Sequence, residues 1–166
     1  MMDSRVGLLM VAVVAVAVAG CGPSNAEIRT ARLAVHRAPM DAVLDAAIQA
    51  AQAEYALGGI DAPNHRFATT PQFYSEEGMR LTPGPEGVVQ NVRGNSILMH
   101  LVVEVKPTDG GVVVVVTPRT FQMISWSPKP RELLPTDTSF PGFVKGRVDA
   151  LTVAIYRHLS SVSAAR

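Results

Sequence analysis

Three kinds of apolar spacing divide this chain. Residues 6–20, VGLLMVAVVAVAVAG, are apolar without interruption. That run is shorter than the about 20 residues a helix needs to cross a hydrocarbon core, and it fits the core of a signal peptide, which spans roughly 7–15 residues. In RTARLAVHR, residues 29–37, Ala31, Leu33 and Val35 alternate with Thr30, Arg32, Ala34 and His36, the period of a strand. Residues 40–57 change to a helical period. Met40, Val43, Leu44, Ala47, Ile48, Ala51 and Tyr55 share one stripe, and Asp41 and Asp45 sit early, where the helix dipole favours them. Gly58-Gly59 predicts a left-handed C-cap.

Strand signals follow. Phe67, Thr69, Thr70, Phe73 and Tyr74 have strand composition, and Pro71 among them predicts an edge position or a bulge. Residues 77–95 are rich in Gly and Pro and read as a long, mobile connection. The centre, residues 96–126, carries Asp109-Gly110, a strong two-residue hairpin turn. That turn pairs Thr108 with Gly111, Val105 with Val114 and Val103 with Val116. Ile97, Met99 and Leu101 continue the same face. The other face carries Leu98, His100, Val102, Glu104 and Lys106 opposite Phe121, Arg119, Thr117, Val115 and Val113. A slip of one residue would exchange the faces. The valine run fits either register, so the turn must specify it. Residues 125–142 hold four prolines and read as a loop. In 143–162, Val144, Val148, Leu151, Ile155 and Leu159 form a second helical stripe.

The expected order is strand, helix, three strands, helix. Two amphipathic helices and a sheet with one strongly apolar face bury each other as two layers. The expected fold is therefore α+β: an antiparallel sheet of three to four strands against two helices. At 166 residues, 48% hydrophobic and 17% charged, the chain is globular, with one domain over 29–166. A net charge of +1 without a dense basic patch gives no sign of a nucleic-acid partner.

Cys21 is the only cysteine, so an internal disulfide is excluded. Val18-Ala19-Gly20-Cys21, directly behind the apolar run, resembles the lipobox of bacterial lipoproteins. The resemblance implies a signal peptide over 1–20, recognition by the signal peptidase through Val18, Ala19 and Gly20, and acylation of Cys21. Residues 21–28 would then form a lipidated tether to the membrane. Gly22 in place of an aspartate implies sorting to the outer membrane, on its periplasmic face. The element order of the mature domain resembles that of the helix-grip lipoproteins of β-barrel assembly and the two-helix, one-sheet lipoproteins of lipopolysaccharide assembly. No motif accompanies that order, so no functional residue transfers.

Catalytic and metal chemistry finds little support in the sequence. His36, His65, His100 and His158 are never three or four residues apart, whereas a zinc site needs convergent ligands. No G-x-S-x-G elbow occurs, Glu76-Glu77 are neighbours in a loop, and Gly84–Gly87 lacks the lysine of a phosphate loop. Neither cofactor nor metal is expected. The candidate partner surface is the second hairpin face, Leu98, Val102, Val113, Val115 and Phe121, together with Trp126. Cross-strand charges from Glu104, Lys106 and Arg119 would surround it. The expected function is a non-enzymatic, lipid-anchored envelope lipoprotein, an accessory or scaffold subunit that binds other envelope proteins. The alternative is a carrier of a lipid or small apolar ligand between sheet and helices.

Overall fold

The computed structural model describes residues 22–164 except 85, 90 and 91. Val18, Ala19, Gly20 and Cys21 lie outside the described residues. The chain runs α1 (Asn25–Leu33), α2 (Met40–Gln52), β1 (Leu57–Asp61), β2 (Arg66–Thr69), β3 (Gln72–Tyr74), β4 (Arg80–Leu81), β5 (Ile97–Thr108), β6 (Gly111–Gln122), β7 (Arg131–Leu133) and α3 (Gly142–Ala164).

The β5–β6 hairpin is the centre of the sheet. Its register runs unbroken from Thr108–Gly111 to Ile97–Gln122, with Val105 opposite Val114 and Val103 opposite Val116. On the inner face Ile97, Met99, Leu101, Val103 and Val105 are each 3% exposed or less. Each such aliphatic side chain contributes roughly 1.5–3 kcal/mol by burial.

β2 and β3 together form a single broken strand along the other edge of β5. Ala68 opposes Val102 and Gln72 opposes Met99, so four steps on one strand match three on its partner. The surplus residue at Thr70-Pro71 is the bulge that the proline foretold. Thr69 closes the gap by accepting the Leu101 N–H on its hydroxyl at 2.9 Å. β1 pairs with β2, β4 with β3 and β7 with β6, all antiparallel.

The three helices pack over one face of this sheet. α2 lies against β5 and α3, α3 against β6, and α1 against α3. Val43, Ala47 and Ala51 of α2 are wholly buried, and Val144, Leu151, Ile155 and Leu159 of α3 are buried along the anticipated stripe.

Three expectations are corrected. The α+β class and the antiparallel sheet hold, but the sheet has seven strands and the described residues include three helices. The additional strands are two to five residues long, too short to show a period. They form because an existing edge offers unpaired backbone groups. Residues 29–33 are helical, not a strand, and the expected tether over 22–28 already enters α1. Ser24 caps that helix by accepting the Glu27 N–H at 3.2 Å. Ser24-x-x-Glu27 is a capping-box sequence that outweighs the weak alternation after it. Only His36 keeps a strand-like bridge, to Val112. The second helix ends at Gln52, where Glu54 and Tyr55 donate to the Ala51 carbonyl. Gly58 is therefore no cap. It lies in β1, where a Cβ would stand 3.1 Å from the Thr69 carbonyl oxygen.

Candidate functional site: the uncovered sheet face

Alternation that sends Met99, Leu101 and Val103 to the helices sends their neighbours to the opposite face. There Leu98, Val102, Val113, Val115 and Phe121 are only partly buried, and no helix among the described residues lies over them. The sheet extends this face beyond the hairpin. Leu81 of β4 opposes Phe73 of β3, Phe73 opposes Leu98, and Leu98 opposes Phe121. These four side chains form one apolar row across four strands, with directly opposed Cβ atoms about 4.5–5.5 Å apart. The next row on this face is His100 opposite Arg119, and Ala68 stands beside Val102 in the row after that. Phe73, Leu81 and Ala68 escaped the sequence reading because their place depends on strand order. Pro71 was the available clue, since a bulge keeps β3 in the same sheet as β2.

Charged pairs lie between and beside the apolar residues. Lys106 reaches Glu104 at 2.7 Å, Arg119 reaches Glu132 of β7 at 2.8 Å, and Arg66 reaches Asp61 at 2.8 Å. All are solvent-exposed to a degree that makes them weak contributors to stability. Arg119 stands directly opposite His100. Burial, then the Arg119 charge, pushes the His100 imidazole below its ordinary value, so this face is biased towards an uncharged histidine. At the β1 edge a depression of about 340 Å³ is lined by Gly59, Ile60, Asp61, Arg66, Ala68 and Val102, among others.

The remaining candidates are dispersed. Trp126 lies in the loop beyond β6 and is fully exposed. His36 bridges to the hairpin, His65 stands 3.2 Å from Asp41, and His158 meets Gln49 at 3.2 Å. Glu77 accepts the Ser75 hydroxyl at 2.7 Å, and that bond holds its carboxyl below the usual range. Glu76 and Glu77 share a depression of about 260 Å³ with Arg93 and Ser96. Such an anionic, exposed carboxylate is poorly matched to general acid work near neutral pH.

No helix of the described residues is long and apolar enough to cross a membrane. No protein-family model matches the chain, and no curated protein is similar enough in sequence to count as a relative.

Proposed function

We propose that this protein is a lipid-anchored lipoprotein of the cell envelope, held on the periplasmic face of the outer membrane through Cys21. It acts as a non-enzymatic accessory or scaffold subunit and offers its uncovered sheet face to another envelope protein. The observation that carries this reading is the apolar row Leu81–Phe73–Leu98–Phe121 on a face that no helix among the described residues covers. Contiguous exposed apolar surface rimmed by polar residues is characteristic of interaction sites. The charged pairs interleaved with it would supply register and specificity more than affinity.

A carrier role draws less support. The layer between sheet and helices is filled by Val43, Ala47, Leu101, Val103 and Leu151, each at most 1% exposed. An apolar ligand would therefore have to lie on the outer face or in the depression beside β1.

Photo-crosslinking in intact cells tests the partner. A photoreactive residue at Val115 should yield a discrete crosslinked protein, whereas one at Glu54, on the helical side, should not. No adduct from Val115, or the same adducts from both positions, would refute the docking face. The anchor has a separate test. Cys21→Ser should leave an uncleaved precursor without palmitate label, and unchanged processing in that variant would refute acylation.

A further inference from the structure

Trp126 is the chain's only tryptophan, and its relative exposure is 103%. Its φ of 68° lies in the left-handed region, which a bulky residue occupies only when its surroundings impose it. Here they do. The Met123 N–H donates to the Ser96 carbonyl at 2.8 Å, and the Asn95 N–H donates to the Met123 carbonyl at 2.7 Å. The Ser127 N–H closes the tip onto the Ile124 carbonyl at 3.1 Å, and the Ser127 hydroxyl donates to the Lys129 carbonyl at 2.9 Å. The loop is thus built to hold an indole out in water. Ile124 beside it is 43% exposed, and Met79, on the β3–β4 turn, is 67% exposed. Both loops leave the same end of the sheet, because Tyr74, Ile97 and Gln122 lie in one register row.

We infer that this end of the domain rests on a phospholipid bilayer surface, with Trp126, Ile124 and Met79 seated at headgroup level. The inference rests on the lipid-anchored reading above. Three observations favour a bilayer over a protein partner. The exposed apolar groups sit on separate loop tips, not on a continuous face, and tryptophan has an apolar body with a polar edge that suits the membrane–water boundary. Residues 123–131 carry Lys129 and Arg131 and no carboxylate; Arg131 lies 4.0 Å from Asp137, so Lys129 is the cation that suits anionic headgroups here. Glu76 and Glu77 are on the β3–β4 turn of this end, where Glu77 is turned onto Ser75. The third observation is the route of the chain. Asn25 and Lys145, in the first turn of α3, line one depression, while Glu27, two residues on, is bonded to Arg157 further along that helix, so α1 is fastened to α3 close behind Cys21. Only residues 22–24 separate α1 from Cys21, a reach of about 10 Å. An acylated Cys21 would therefore hold the domain close to the bilayer surface.

Because the chain holds a single tryptophan, its own fluorescence reports the outcome. The acylated full-length product is reconstituted in phosphatidylethanolamine–phosphatidylglycerol vesicles containing lipid brominated on the acyl chains. The expected result is emission shifted to shorter wavelength, quenching by the brominated lipid and shielding from acrylamide. A water-like emission, open to acrylamide and unaffected by bromine, in protein that floats with the vesicles would overturn the inference and leave the anchor intact. Shielding that appears only in native envelopes, without bromine quenching in vesicles, would overturn it in favour of a protein contact. If the chain takes no palmitate, the anchoring reading falls instead. The same emission, read on full-length protein mixed with excess vesicles, then decides the inference: bromine quenching supports it and an unchanged spectrum refutes it.

Discussion

At the scale of single residues, His100 and Gly111 carry the sharpest expectations. Burial lowers the imidazole values of both His100 and His36 relative to the ordinary 6.5. The unfolded chain then binds more protons than the folded one just below that value, so stability falls as pH drops from about 6.5. The carboxylates Glu27, Asp61 and Glu77, all held low by hydrogen bonds, add their own losses only at more acidic pH. Urea midpoints should decrease between pH 7.5 and 5.5, and His100→Gln should flatten part of that slope. A midpoint that rises on acidification in this window would contradict the assignment. Gly111 has a φ of 144°, and a Cβ there would stand 2.5 Å from the His36 carbonyl oxygen. Gly111→Ala is expected to cost about 2 kcal/mol or more, through backbone strain and loss of the His36–Val112 bridge. Chemical denaturation reads this directly, and a cost within error of zero would refute the close approach.

At the scale of elements, α1 depends on its cap and on ion pairs to α3, one of them to a buried aspartate. Asp149, on α3, is 5% exposed. It is bonded to Arg32 of α1, with Lys145 at 3.7 Å. Arg32→Ala should cost about 1.5 kcal/mol, a value discounted because the Arg32 side chain is 46% exposed. Ser24→Ala should cost about 1 kcal/mol by leaving a first-turn N–H without its acceptor. Hydrogen exchange should show both losses first in residues 25–33, and a uniform loss across the domain would argue against local detachment. The sequence held half of this element. Ser24 and Glu27 encode its start, but the alternation of Ala31, Leu33 and Val35 competes with that signal. Leu33 is 74% exposed and Val35 48%, so the alternating residues do not share a buried face. The hairpin, by contrast, was legible pair by pair, since a two-residue turn admits only one register.

At the scale of the whole molecule, the two sheet faces divide stability from binding. Leu101→Ala, on the inner face, should cost about 2–5 kcal/mol because its site is closely packed on all sides. Val115→Thr, on the outer face, should change stability by less than about 1 kcal/mol while weakening capture of the proposed partner. Equal losses of thermal midpoint at the two positions would mean that the outer face is covered. The contrast follows from placement alone. Leu101 is 0% exposed beneath the helices, while Val115 is partly open on the far side.

The sequence by itself determined the hairpin register, the identity of its two faces, and the stripes of α2 and α3. Side-chain period and turn chemistry are local, and they act the same in any fold that contains them. Tertiary structure decided the rest: the helical state of residues 25–33, the pairing of β1, β4 and β7, and the apolar row from Leu81 to Phe121. Short edge strands form by pairing backbone N–H and C=O groups, which every residue but proline carries alike, so their partners leave no mark in local composition. The same holds for the far face of the sheet. Its hairpin residues were readable in advance, but the packing of the three described helices on the other side left it open among the described residues.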